Sequence, residues 1–437
     1  MLPLGVSAVT VGFGFLITLD RPPLDLRSSA ILVPIAQAVV ALPLMVRMVL
    51  PVLRAIDPRQ RDAASVLGAS PLRVFRRVAL PMARPAIAIG AVLALLETLN
   101  DIGASEFLGV QTLTVAVYTT WVTRSDLPGA SQIALAMLAI VVVLVVVERY
   151  GRRRQRYSAT QRPRPMRPLR LAGPRAWAAL ALALAPVLVG FAVPAAYLAW
   201  ETVERLGNGG ISPQLLESAR NTLLVALAAT LVTVVAGLAV AWALRLAQGR
   251  RHARMAALNL RVASLGYAVP GTVLAIGMLV PLAWFDDGAN AVIQAFGGAP
   301  RMVLMGSVTA LVVAYTLRFL AISAGGIEAG LTRIPRSLDQ AAASLGKSPG
   351  AALRRVHLPL LAPAMAAAAL LVFVDTMKEL PATLLLRPLN FETLATWLYA
   401  EASRGTYEEG AVAALMIVLV GLLPVVLLAR TGQNFGR

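Results

Sequence analysis

Two clusters of polar side chains interrupt runs that are otherwise apolar: Glu97, Asn100 and Asp101 in the first, Asp375, Lys378 and Glu379 in the second. Their spacing of i, i+3 and i+4 puts each set on one face of a helix. An ionisable group at membrane depth is costly, so such residues face a bundle interior or an aqueous path. Two chemistries fit them. Either the carboxylates line a translocation path, or Lys378 neutralises Asp375 and Glu379 and holds helices together. Counted from Pro363 at ~1.5 Å per residue, Lys378 lies about 22 Å along its span, toward the outer side. Other chemistry finds little material. The chain has no cysteine, which removes disulfides, thiolate nucleophiles and zinc-thiolate sites together. Its two histidines, His252 and His357, stand in basic loops far apart in sequence and read as surface or docking residues. No metal site and no catalytic residue are therefore expected.

The elements that carry these clusters follow from composition. Of 437 residues, 58% are hydrophobic and 14% charged, too little polar surface to cover a soluble globule. Apolar runs recur that are long enough to cross a hydrocarbon core of about 30 Å as helices. Ten spans are expected, near residues 3–19, 30–53, 85–108, 130–147, 176–199, 219–244, 262–284, 304–323, 363–386 and 409–429. A β-barrel would show short alternating segments instead. The fold class is all-α, a polytopic membrane protein with about ten transmembrane helices and the lipid bilayer as its solvent.

The formal net charge is +18, a balance that in a soluble protein would suggest nucleic acid. Here the arginines gather in the loops at 54–84, 149–175, 245–261 and 333–359, which the positive-inside rule places in the cytoplasm. No nucleic-acid partner is expected. Asp20, Asp25, Glu201, Glu204, Glu217, Asp286 and Asp287 fall in the opposite, outer connections. Residues 149–175 hold ten arginines and four prolines and read as a flexible cytoplasmic linker between two halves. The first apolar run lacks a basic leader and a small-residue cleavage site, so it is read as a retained span.

One basic loop is duplicated. Residues 62–81 and 340–359 align without a gap at a constant offset of 278, pairing Gly68 with Gly346, Ser70-Pro71 with Ser348-Pro349, and Leu80-Pro81 with Leu358-Pro359. The alanines at 63, 64, 341 and 342 allow close packing. Gly68 and Gly346 are placed to end one helix, and Pro71 and Pro349 suit the first turn of the next. A helix, a break and a helix are expected in each loop. The same offset lays Glu97, Asn100 and Asp101 on Asp375, Lys378 and Glu379.

The pattern of acidic-Ala-Ala, Gly, then Leu-Pro resembles the EAA loop of ABC importer permeases. The resemblance implies a type I permease fold in two pseudo-symmetric halves, with Asp62, Ala63, Ala64, Gly68, Leu80 and Pro81, and Gln340, Ala341, Ala342, Gly346, Leu358 and Pro359, docking an ATPase subunit in two copies. Asp62 and Gln340 stand where the family has Glu, with Asp339 one residue earlier, so the second loop has one carboxylate fewer at the usual point. ATP would be used by that partner. The nearest phosphate-loop match, Ala341 to Ser348, lacks the required first Gly, and the chain is expected to bind no cofactor and to be no enzyme.

Residues 99–121 and 378–399 look like the ferric-iron branch of these importers, in which an extracytoplasmic binding protein delivers the substrate. Ferric iron favours oxygen ligands, with which acidic path residues are compatible. Related permeases carry thiamine, phosphonates, polyamines or sulfate, and a secondary transporter using Asp101, Lys378 and Glu379 is the alternative from another class. The expected organisation is a first permease half at 1–148 with about four spans, read as shortened at its N-terminus, the linker at 149–175, and a second half at 176–437 with about six. The family commonly has six spans per half. The Pro-Gly span at 270–277 resembles Pro3 to Gly12, so the two missing spans are those before it. The bacterial inner membrane is the expected location.

Overall fold

In an apolar solvent a backbone must satisfy its own hydrogen bonds, and these alanine-, leucine- and valine-rich runs do so as helices. The computed structural model describes residues 32–54, 56, 58–153, 171–247, 253–263 and 265–434, and among them there is no β-strand. In chain order the helices are α1 Leu32–Arg54, α2 Pro58–Val66, α3 Pro71–Val74, α4 Leu80–Asn100, α5 Gly103–Phe107, α6 Leu113–Tyr118 and α7 Leu127–Arg153. Then come α8 Pro174–Val187, α9 Val193–Gly209, α10 Pro213–Ala247, α11 Ala253–Ala263, α12 Gly271–Ala295 and α13 Val308–Thr332. The chain ends with α14 Ser337–Ser344, α15 Pro349–Ala352, α16 Leu358–Met377, α17 Pro381–Leu386, α18 Leu394–Arg404 and α19 Tyr407–Asn434.

Seven helical stretches among the described residues are long and apolar enough to cross a membrane: Pro71–Asn100, Leu127–Glu148, Pro174–Gly209, Pro213–Ala247, Gly271–Ala295, Val308–Thr332 and Pro349–Met377. Shorter apolar stretches lie at Val33–Leu42, Leu113–Thr123 and Glu409–Leu422. The spans expected at 30–53 and 409–429 fall on α1 and α19, helices of 23 and 28 residues. The span expected at 3–19, its likeness to 270–277, His252 and residues 154–170 of the linker lie outside the described residues. Two expectations are corrected. The runs at 85–108 and 363–386 are each broken, at Asp101 and at Lys378–Leu380, into a long helix and a short one. Glu201, Glu204, Glu217, Asp286 and Asp287 lie within α9, α10 and α12 rather than in connections, because those helices run on past their apolar stretches.

The chain forms two compact units, one of the described residues up to Val115 with Leu135–Leu198, the other of Ala116–Ala134 with the residues from Ala199 onward. In the first, α1 packs on α4; in the second, α13 packs on α10 and on α16. By the 278-residue offset α1 corresponds to α13 and α4 to α16, so the same helix pairing recurs within each unit. Small residues set the close approaches, as is usual where both helices and lipid are apolar. Gly326 and Gly330 on α13 face Ala368, Ala364 and Leu361 of α16 so closely that a Cβ on Gly330 would stand 2.8 Å from that of Ala364. The second unit's buried cluster joins Val234 and Ala241 of α10, Ile327 and Leu331 of α13, Ile334, and Leu361 of α16.

The Leu-Pro pairs have a structural consequence that helical periodicity does not show. Pro81 and Pro359 carry no N–H, so the carbonyl four residues earlier loses its α-helical partner. Just before each, the helix widens into a π turn, Phe75–Ala79 and Leu353–His357, closed by the Leu80 N–H on the Phe75 carbonyl and the Leu358 N–H on that of Leu353. A third π turn, Leu188–Ala192, precedes Pro194 in the same way.

The α10–α13 contact supplies a test. A side chain at Gly237 would collide with Ser323 Oγ and approach the Ala324 backbone nitrogen to 2.8 Å. Gly237→Leu should cost about 1–3 kcal/mol or more and lower the unfolding midpoint in detergent, as overpacking does. Gly277→Leu, where no atom lies within 4 Å, is the control and should leave the midpoint unchanged. Equal midpoints for the two variants would refute the packing.

Candidate functional site

The two polar clusters sit at the two helix breaks, and the breaks are built alike. α4 ends at Asn100 and the backbone of Asp101 turns extended, with φ −76° and ψ 129°. The Asp101 carboxylate then closes the start of α5: Ala104 N donates to Oδ1 at 3.3 Å, and Ser105 N and Ser105 Oγ to Oδ2, both at 3.0 Å. In the second unit Glu379 does the same for α17. Ala382 N donates to Oε1 at 3.1 Å, and Thr383 N and Oγ1 to Oε2 at 3.0 and 2.8 Å. Ala104 and Ala382, and Ser105 and Thr383, are related by the same offset of 278 as the carboxylates.

Each cradle is completed from the preceding long helix at equivalent positions. Gln37 of α1 donates its Nε2 to Asp101 Oδ2 at 2.7 Å. Its counterpart on α13 is Tyr315, whose hydroxyl hydrogen-bonds the Thr383 hydroxyl that in turn reaches Glu379. The cradles differ one turn further on, where α1 has Val40 and α13 has Arg318. Arg318 Nη1 stands 3.3 Å from Glu379 Oε1, with side chains 9% and 2% exposed. Gly271, the first residue of α12, lies against this pair, leaving no room for a Cβ beside Arg318 Nη1.

The sequence-derived candidates are thus partly brought together and partly separated. Asp101 and Glu379 are buried. They do not share a helix face with Glu97 and Asn100 or with Asp375 and Lys378, because the helices stop before them. Glu97 and Asn100 lie half-buried in the last turn of α4. Lys378 pairs with Asp375 at 2.9 Å, and Arg318 stands beside Glu379. Both oxygens of each cradle carboxylate already accept hydrogen bonds, so the pair's evident work is to fasten the breaks. Arg318, Gln37, Tyr315, Ser105 and Thr383 were missed in the sequence. A charge inside the apolar run at 304–323 was the signal for Arg318, and the offset was the signal for the rest. Among the described residues no three His, Asp or Glu side chains are grouped so as to hold a metal ion.

The duplicated loops fold as two helix pairs. α2 ends in a Schellman turn, with Gly68 at φ +75° and the Ala69 N–H on the Ala64 carbonyl. α14 ends likewise, with Gly346 at φ +67° and the Lys347 N–H on the Ala342 carbonyl. Ser70 and Ser348 cap α3 and α15 through the amides of Arg73 and Ala351, and Pro71 and Pro349 follow at the first helical position. Asp62, Ala63, Gly68, Gln340, Ala341, Gly346 and Pro359 are exposed. Leu80, 36% exposed, stands at the edge of that class. Ala64, Pro81 and Leu358 are half-buried, and Ala342 is buried. Apolar side chains crowd the outer surface of the pairs, with Val66 and Leu67 87% and 86% exposed and Leu345 75%. His357, expected at the surface, is fully buried.

Truncating one member of a buried ion pair leaves the other uncompensated, at a cost of roughly 3–5 kcal/mol. Arg318→Met should therefore lower the unfolding midpoint in detergent more than the double variant Arg318→Met with Glu379→Gln. Val40→Ala, at the equivalent place in the first unit, should cost less than Arg318→Met. Additive losses from Arg318→Met and Glu379→Gln would show that the two residues do not interact.

Residues 6–157 and 246–433, each range holding one helix pair, match the family described as "Binding-protein-dependent transport system inner membrane component". The chain is 26% identical over 384 residues to an Fe(3+)-transport system permease protein of Haemophilus influenzae, FbpB 2, covering 87% of this chain and 72% of the relative. It is 40% identical over 128 residues to a putative 2-aminoethylphosphonate transport system permease protein of Salmonella typhimurium, PhnU, covering 29% of this chain and 45% of the relative. A second phosphonate permease of that organism, PhnV, is 29% identical over 170 residues, 39% of this chain and 58% of the relative. With both copies of the helix pair falling in matched segments, the chain belongs to the binding-protein-dependent transport family as a multi-pass, inner-membrane ABC permease.

Proposed function

We propose that this chain is the permease of an ABC importer for ferric iron, receiving its substrate from an extracytoplasmic binding protein and driven by a separate ATPase subunit docked on the two helix pairs. The observation that carries the reading is the duplicated helix, glycine turn and helix, each pair presenting apolar side chains outward between membrane spans. Apolar surface of this kind in a loop marks a protein contact. A secondary transporter has no use for two such surfaces. Ferric iron is supported by the reach of the similarity, since the iron permease aligns over 87% of the chain and the phosphonate permease PhnU over 29%. The higher identity of that shorter stretch favours a second reading, a phosphonate as cargo.

The loop geometry sets a test of docking. At Gly68 and Gly346 an added Cβ would meet no atom within 4 Å, so a side chain there faces only the backbone penalty of a left-handed residue, roughly 1–2 kcal/mol. Gly68→Val or Gly346→Val should leave the membrane-embedded part folded while ATPase co-purification and uptake both drop. Survival of both would sink the docking assignment. Proteoliposomes holding the complex and its binding protein should take up radiolabelled ferric iron and not 2-aminoethylphosphonate; the reverse selectivity would replace the first reading with the second.

A further inference from the structure

An arginine ties the second helix pair to the spans. Arg245, in the last turn of α10, has a side chain 9% exposed, and its Nε and Nη2 reach Asp339 Oδ2 of α14 at 3.0 and 2.7 Å. The same guanidinium donates from Nη1 to the Leu331 carbonyl and from Nη2, at 3.1 Å, to that of Ile334. Those carbonyls lie at the C-terminal end of α13, where a helix leaves acceptors without intrahelical partners and favours a cation. The other Asp339 oxygen, Oδ1, is 2.9 Å from Nε2 of the buried His357, an ion-pair distance without hydrogen-bond alignment. His357 also sets its Nδ1 3.1 Å from the Ala352 carbonyl of α15, and its ring packs 4.9 Å from that of Trp242, one turn before Arg245 on α10. Arg245 thus joins α10, the end of α13 and α14, and Asp339 and His357 carry the link on to α15.

The first pair carries other residues at the positions of Asp339 and His357. The 278-residue offset puts Arg61 where Asp339 stands and Ala79 where His357 stands. The acidic residue of that pair, Asp62, is exposed, whereas Asp339 is turned inward onto Arg245.

We propose that Arg245 is a positioning residue for energy coupling, holding the second helix pair rigidly to α10 and α13 so that displacement of the pair by a partner is passed to those spans. This rests on the reading of the pairs as ATPase docking sites, and it assigns them unequal roles: the second transmits displacement through Asp339, and the first engages the partner with Asp62 exposed.

The test uses the full complex of permease, ATPase and binding protein in proteoliposomes, reading substrate taken up per ATP hydrolysed. Arg245→Gln should lower that ratio roughly tenfold or more, as expected when a charge-assisted, partly buried contact is lost. Arg245→Lys, which keeps the charge and one contact, should give an intermediate ratio and also serves if the glutamine variant does not accumulate. Adding Asp339→Asn to Arg245→Gln should lower the ratio no further, because the two act as one unit. A wild-type ratio in either Arg245 variant, or additive losses in the double variant, would overturn the proposal. If the wild-type permease fails to co-purify with the ATPase, the docking reading falls first, and the two failures are thereby told apart.

Discussion

Hydrocarbon offers no water to pair a backbone N–H, so a helix that stops within an apolar run must be closed by the protein itself. At the end of α4 and again at the end of α16 this is done by a carboxylate. Asp101 and Glu379 accept the amides that open α5 and α17, and a hydroxyl four residues on adds a third donor. A long helix then supplies the remaining partner, Gln37 from α1 or Arg318 from α13. The position of each short helix, and the packing of the long helix against it, depend on that acid. A buried carboxylate is costly by itself, and its cost is offset here because every oxygen is matched by donors.

How much of this was legible depends on the range of the signal. The helix pairs could be read because their signals are local: a glycine that must adopt positive φ, then Ser-Pro to cap and start the next helix. The long helices could be read from apolar runs. The breaks could not, since Ile102 and Leu380 keep the run apolar across them and hydropathy is blind to a change of direction. Glu97 to Asp101 therefore read as one face of one helix, although Asp101 lies past its end. The cradle partners lie 64 and 61 positions from their carboxylates, a distance over which only the internal repeat offered guidance. The π turns before Pro81, Pro194 and Pro359 escaped helical periodicity as well, although each proline was in plain view.

The repeat also separates what the geometry requires from what it leaves free. Both copies keep an acid at the break, an alanine and a hydroxyl residue to donate to it, a polar side chain at the position of Gln37 and Tyr315, and a glycine at positive φ between the paired helices. These are the parts without which a backbone group would be left unpaired or strained. The copies diverge where a side chain is an addition to a finished structure: Val40 against Arg318, Arg61 against Asp339, Ala79 against His357.

Those divergences share a direction. In the second unit the cradle gains an ion pair and the helix pair gains an anchor, so its break and its loop are both tied to neighbouring helices by charge. In the first unit the donors to Asp101 among the described residues are all neutral. A buried ion pair adds little net stability against an apolar substitute, but it penalises any arrangement that separates its members. Placed between elements rather than within one, such pairs penalise any arrangement that parts α10 and α13 from the helix pair or α13 from the second break. A carboxylate held by amides of its own chain segment constrains only the local break, apart from its contact with Gln37. The same duplicated frame therefore carries one break and loop tied to neighbouring helices by charge, and one break closed largely by its own chain segment.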